Sequence, residues 1–222
     1  MRSVALALIF ILASAPVVEA GAWLRTKKSG FASSSVSTNA ENELSTSFYG
    51  EYGLSDRFTL GLDVSYGVDR TFFQQGSGIL FLRFPIAPTD GTHKWAAHVG
   101  VGARYLQGYF LPAAEVGLSW GRGIQWREKY GWVNVDTSFN APQSPADNRL
   151  KVDGTLGLGL TQQIKVMLQM FNTFEGGETY SQIAPSLLWA PGDGKTTIQL
   201  SAEIPVAGGG ETAVKIAMWL DF

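Results

Sequence analysis

The sequence predicts an all-β protein: a transmembrane antiparallel up-and-down β-barrel of about twelve strands. Three observations predict it. The last ten residues, AVKIAMWLDF, put Val214, Ile216, Met218, Leu220 and Phe222 on one face, with Lys215, Ala217, Trp219 and Asp221 on the other. A soluble edge strand built this way would invite aggregation, so this face is either covered by a second sheet or turned to lipid. The same period-two alternation recurs along the chain in stretches of about ten residues separated by turns, the pattern of membrane-spanning strands. Beyond residue 20 no apolar run is long enough for a membrane helix.

The start of the chain favours lipid over a second sheet. Met1-Arg2 is a positive start, Val4 to Ala13 is an apolar run, and Val18-Glu19-Ala20 supplies small residues at a cleavage site. Residues 1–20 therefore read as a secretory signal peptide cut after Ala20, leaving 21–222 as one barrel domain. The chain has no cysteine, so export brings no disulfide framework and no thiolate metal site. A net charge of -2 argues against a nucleic-acid binder. No cofactor motif is present.

The alternating segments begin with Phe31–Thr38, Leu44–Gly53, Phe58–Gly67, Gly78–Ala87, Lys94–Tyr105 and Ala114–Gln125. They continue with Gly131–Phe139, Leu150–Leu160, Ile164–Thr173, Ser181–Ala190, Thr196–Val206 and Thr212–Phe222. Pro185 cannot donate a ladder bond and predicts a bulge. Turn formers make Ser55-Asp56-Arg57, Thr89-Asp90-Gly91, Thr161-Gln162-Gln163 and Pro191–Gly194 tight connections, with Trp126–Tyr130 slightly longer. Val68–Gln75, Leu106–Ala113, Ala141–Arg149 and Phe174–Tyr180 read as the longer loops of the other end. An even strand number puts both chain ends, and the tight turns, on the periplasmic side.

The faces carry the functional reading. In the third strand Phe58, Leu60, Leu62, Val64 and Tyr66 oppose Thr59, Gly61, Asp63 and Ser65; in the eighth, Leu150, Val152, Leu156, Leu158 and Leu160 oppose Lys151, Asp153 and Thr155. With the apolar face outward throughout, the inner face collects Glu51, Asp63, Arg83, Lys94, His98, Arg104, Glu115, Asp136, Lys151, Asp153, Lys165, Glu203, Lys215 and Asp221. Arg122 is the outward charge, near the end of its strand, where a cation costs little. Twelve tilted strands give a backbone diameter of roughly 25 Å. Gly61, Gly100, Gly102, Gly117, Gly157 and Gly159 leave space on the inner wall, while Tyr49, Phe81, Phe171 and Trp219 take it back. The near-balance of acids and bases predicts ion pairs across the lumen rather than a one-sign filter. Arg83, Arg104, Glu115, Asp136, Lys151 and Asp153 are the candidate lining of any path. Trp95, Trp120, Trp189, Tyr66, Tyr105 and Phe139 fall near strand ends, as interfacial girdles do.

AVKIAMWLDF resembles the C-terminal signature strand of bacterial outer-membrane β-barrel proteins, which ends in phenylalanine. The resemblance implies an outer-membrane location, lipid as surroundings, and Phe222 as the residue read by the barrel assembly machinery. EYGLSDRFTLGL, Glu51–Leu62, is similar to a strand–turn–strand hairpin of small proteobacterial barrels, including transporters of the phenol meta-pathway type.

Two motifs look like chemistry. PGDGKTT, Pro191–Thr197, has the tail of a phosphate-binding loop, but Trp189 stands where a glycine is needed and a strand follows. GLSWG, Gly117–Gly121, matches the nucleophile pattern G-x-S-x-G without its strand-to-helix elbow. Ser119 and His98 both point inward on neighbouring strands. One hairpin register sets them directly opposite; the other sets Arg104 opposite Glu115 and leaves His98 diagonal to Ser119. Either places a hydroxyl near an imidazole. Outer-membrane phospholipases and lipid A deacylases are similar barrels, but their sites face lipid. His93 and His98 diverge, so no metal site is expected. The favoured function is a narrow passive channel for a small solute, with a monomer as the default state. A barrel closed by its own ion pairs, serving envelope structure or interaction, is the alternative. A hydrolase using Ser119 and His98 is the third reading.

Overall fold

The structure, a computed structural model, describes residues 21–142, 148–192 and 194–222. The predicted signal peptide lies outside the described residues, as do 143–147 of one expected loop and Asp193 of one expected turn. Among the described residues there are twelve strands and no helix. They are β1 (Gly30–Asn39), β2 (Leu44–Ser55), β3 (Phe58–Val68), β4 (Gln74–Pro85), β5 (His93–Leu106) and β6 (Tyr109–Trp126), followed by β7 (Lys129–Pro142), β8 (Arg149–Gly159), β9 (Ile164–Glu175), β10 (Glu178–Trp189), β11 (Thr196–Ala207) and β12 (Ala213–Asp221). Each strand pairs antiparallel with its sequence neighbours, and β12 returns to β1, closing the barrel. At the seam the Gly30 and Phe222 backbones exchange two hydrogen bonds, of 2.6 and 3.0 Å.

The alternation read from the sequence sets the two faces. Leu60, Leu80, Val101, Val116, Leu168, Leu200 and Ile216 stand exposed on the outside. Glu51, Thr59, Arg83, His98, Ser119 and Asn134 are buried on the inside. An apolar surface this continuous marks contact with lipid or protein. Tyr66 lies against Tyr105, and Tyr105 against Phe110, near one rim; Trp95 lies against Trp120 near the other. Arg122 is exposed and sits opposite His93 at the first residue of β5, as its place near the interface requires.

Three expectations need correction. The connections at the two ends do not differ in length as predicted. Gln107–Gly108 and Gly176–Gly177, all four at positive φ, are two-residue turns of the kind that matches strand twist. Strands therefore extend through most of the stretches read as the Leu106–Ala113 and Phe174–Tyr180 loops. The segment from 86 to 92, at the end of supposedly tight turns, is longer than either. Pro185 produces no bulge: it pairs in register with Leu168, and β10–β11 keeps one register from Ile183–Ile204 to Ser186–Ser201. The shift lies between Ser181 and Gln182, where Pro205, opposite Gln182, has no N–H to donate. Finally, β5 and β6 adopt neither expected register. The tight closure at Gln107–Gly108 sets His98 opposite Gly117, Ser119 opposite Ala96, and Arg104 opposite Leu111.

The connection between β3 and β4 is organised by one carboxylate. Asp69 Oδ1 accepts hydrogen bonds from the Thr71 hydroxyl (2.7 Å), the Thr71 amide (2.7 Å) and the Phe73 amide (3.0 Å). These bonds, the Thr71 hydroxyl first, hold the Asp69 carboxyl below its ordinary value. A depressed carboxylate stabilises its surroundings above the ordinary range and loses that effect as pH falls through its lowered value. Amide exchange at Thr71 and Phe73 is thus expected to be slow at neutral pH and to accelerate, relative to neighbouring strands, under strong acid. A second expectation concerns the outer face. Val116→Arg should destabilise the lipid-embedded barrel by about 2–4 kcal/mol, whereas Arg122→Leu should change stability by about 1 kcal/mol or less, as read from urea unfolding in vesicles.

Candidate functional site

The lumen is divided into three spaces along the barrel axis. A vestibule of about 400 Å³ lies at the end bearing the β1–β2, β3–β4 and β11–β12 connections, lined by Asn39, Glu43, Asp69, Tyr180 and Glu211. A central chamber of about 340 Å³ is lined by polar and charged groups together with Phe31, Phe81, Trp132 and Trp219. A third space of about 290 Å³ lies at the end where β1 starts and β12 finishes, lined by Trp23, Arg25, Asp56, Pro88 and Lys94. Phe171 borders both the vestibule and the chamber.

Five of the six predicted lining residues, Arg83, Glu115, Asp136, Lys151 and Asp153, meet in the central chamber. Arg104 lies apart, and its partner is not Glu115. Its guanidinium reaches across from β5 to Glu175 on β9, at 2.6 Å, and Glu175 also holds Arg149 at 2.7 Å. The expected cross-lumen ion pairing is present here. Elsewhere the pairs run along the wall: Glu51 on β2 accepts from Arg83 on β4, from Arg25 at 2.9 Å and from the Tyr49 hydroxyl at 2.6 Å. Lys215 pairs with Glu203 at 2.7 Å.

The inner-wall glycines do not leave open space. Three of them face a ring on the residue directly opposite in the next strand: Gly61 faces Phe81, Gly117 faces His98, and Gly157 faces Trp132. A Cβ at any of these positions would stand 2.1 to 2.2 Å from that ring. Each glycine is a socket in which an inward ring lies flat against the wall. At Gly102 the Gly78 carbonyl takes the room.

The largest feature that strand reasoning overlooked is the segment before β1. Residues 21–29 fold back into the lumen. Ala22 and Trp23 are buried with Trp132, Met167 and Leu188, and Trp219 packs against them. The Ala22 amide donates to Asn134 Oδ1 (3.3 Å), and the Arg25 amide donates to Thr59 Oγ1 (3.0 Å). The Arg25 guanidinium also lies 4.6 Å from the Phe31 ring centre. Two more glycines are cut to this segment: a Cβ on Gly121 would strike the Trp23 ring, and one on Gly53 the Thr26 carbonyl. Gly21 borders the central chamber while Ala22 to Thr26 border the third space, so the segment forms the partition between them. A signal for it exists in the sequence: Ala22-Trp23-Leu24 is apolar and precedes any alternation.

The Ser119–His98 pair does not assemble a nucleophile. His98 is diagonal to both Ser119 and Glu115 and turns to the latter, with Nε2 3.3 Å from Glu115 Oε1. Among the described residues no hydrogen bond joins it to Ser119, and its Nδ1 is buried without a partner. Ser119 is 1% exposed and does not border the chamber. The GLSWG stretch continues as strand within β6, and PGDGKTT runs into β11 rather than a helix.

A closed barrel with an apolar outer face, a polar lumen and no helix among the described residues has the fold of outer-membrane β-barrel proteins. Solved structures agree. A KdgM porin superposes with a TM-score of 0.62 at 5% identity, covering 86% of this chain and 99% of that one. LpxR from Salmonella typhimurium gives 0.53 at 8% identity, covering 86% and 99%. The COG4313 outer membrane channel from Pseudomonas putida F1 gives 0.53 at 13% identity, covering 90% and 97%. At such identities the likeness is one of fold. No family model matches the chain, and no curated protein sequence does.

Glu51 is the residue on which the inner network turns. Its side chain is fully buried, and Arg25 and Arg83 share its charge. Glu51→Gln should cost about 3–5 kcal/mol by removing the carboxylate that answers the buried Arg83, whereas Arg83→Gln should cost less because Arg25 still answers the carboxylate. The shift in temperature at which the folded band is lost in gel electrophoresis reports both.

Proposed function

We propose that the protein is an outer-membrane channel for a small polar solute, narrow and constricted by residues 21–26 at its periplasmic end. The observation that carries this reading is the central chamber: charged of both signs, continuous in lining with the vestibule at Phe171, and set inside an apolar outer wall. A wall with only a structural task has no need of Lys151, Asp63 and Asp153 around a cavity. That a porin and an outer membrane channel share this fold supports the reading. The end where β1 starts and β12 finishes is assigned to the periplasm, Phe222 there serves as the assembly signal, and the barrel acts as a monomer.

A second reading, a barrel closed to passage and serving envelope structure, is favoured by one observation. Trp23, Trp132, Met167 and Leu188 fill the lumen at the partition. Single-channel recording of the refolded protein in a planar bilayer separates the two. A channel should show steady conductance that changes when Arg104→Ala removes the cross-lumen pair with Glu175, or when Glu115→Ala frees His98. A barrel that inserts and folds but stays silent would overturn the channel reading and leave the structural one.

A further inference from the structure

The inner wall carries a carboxylate whose partner the described side chains do not supply. Asp136, on β7, holds one oxygen against the Asn134 amide, while Oδ1 is buried with no hydrogen-bond partner. No salt bridge reaches it among the described residues, although Glu51, Glu115, Glu175 and Glu203 each have one. Asp63, Glu115, Asp136 and Asp153 border the chamber with Arg83, Lys151 and Lys215, of which Arg83 is paired with Glu51 and Lys215 with Glu203.

Gly21 lies against this carboxylate. A Cβ built on it would stand 2.6 Å from both Asp136 oxygens and from Asn134 Nδ2, and its φ of 77° is one that other residues rarely adopt. The Ala22 amide donates to the same Asn134, so the chain is tethered one residue further on. Cleavage after Ala20, predicted from Val18-Glu19-Ala20 independently of any fold, makes Gly21 the first residue. Its nitrogen then becomes an ammonium with three donors and a unit charge, beside an acid with one oxygen unbonded and no salt bridge among the described residues.

We propose that Asp136 is the docking site for the α-ammonium of the processed chain, so that signal-peptide removal creates the group that locks residues 21–29 into the lumen. The Trp23 ring in its Gly121 socket and the Arg25–Glu51 pair complete the plug. The proposal stands whether or not the lumen conducts, because its readouts are chemical.

The test begins with the intact mass of protein purified from outer membranes, which should correspond to a chain starting at Gly21. A 2-pyridinecarboxaldehyde probe specific for α-amines then measures access to that nitrogen. Labelling of the folded wild-type barrel should be at least about tenfold slower than that of the urea-unfolded chain, equivalent to about 1.4 kcal/mol of protection. Asp136→Asn should recover most of that rate. A chain with one additional glycine between Ala20 and Gly21 should do the same with every side chain kept, because it moves the ammonium by up to about 3.8 Å. Far-ultraviolet circular dichroism and the shifted folded band confirm that each variant is a barrel. A mature chain beginning elsewhere, equal labelling of folded and unfolded wild type, or protection unchanged in both variants would each overturn the proposal.

Discussion

A backbone placed in hydrocarbon must satisfy every N–H and C=O within the protein, and a sheet does so only by closing on itself. The rest of this molecule follows from that closure. The pairing of β1 with β12 removes the last edge, and the Gly30–Phe222 exchange ties the seam at its rim. A side chain at Gly30 would have to displace the Phe222 ring, which lies beside it. Once the sheet is closed, alternation stops being a local preference and becomes a sorting rule. Each odd or even position is committed to the outer face or the lumen for the length of its strand, and a one-residue slip would invert it.

The inner face then meets a packing problem that soluble barrels solve with a larger aliphatic core. Here the wall is polar, and bulky groups are accommodated by pairing them with glycine across the ladder. Phe81, His98 and Trp132 each lie over the glycine opposite, which brings the ring against the sheet and leaves the axis freer than the ring's size suggests. Such glycines contribute to register: a two-residue shift would set Phe81 over Thr59 or Asp63, and His98 over Glu115 or Ser119, each with a Cβ. The charged groups are treated with similar economy, Glu51 and Glu175 each serving two arginines. Sharing a carboxylate spares the desolvation of a second one.

The strands were legible because a two-sided wall writes its facing into every other residue. Thr59, Gly61 and Asp63 against Leu60, Leu62 and Val64 admit one assignment, and Asp63, Arg83, His98, Glu115, Asp136, Lys151, Asp153 and Lys215 border the central chamber. Ladder register was less legible, since it depends on turn closure. Gln107 at positive φ is not announced by its residue type, and the two-residue turn it forms displaced the expected partners of His98 and Arg104. Long-range partners were not legible at all. Arg104 meets Glu175 across the lumen, a relation set by barrel circumference rather than by neighbouring sequence. The partition formed by residues 21–29 escaped a search for alternation because it has none, and its packing on Trp132, Met167 and Leu188 exists only once the cylinder is complete.

The Arg104–Glu175–Arg149 group has a mechanical meaning. A single-layer cylinder is stiff along its strands and soft to flattening, because ovalisation bends the ladder without breaking it. A tie from β5 to β9 runs as a chord across the section, braced at its far end on β8, and resists that deformation at the vestibule. Its members are partly solvated, with side-chain exposures of 13%, 22% and 21%, so dissolved ions loosen the chord. The Glu51 carboxylate, with no exposed surface, is shielded from the same ions. The pairing of Arg104, Glu175 and Arg149 therefore weakens as ionic strength rises, and the Glu51 pairing does so much less.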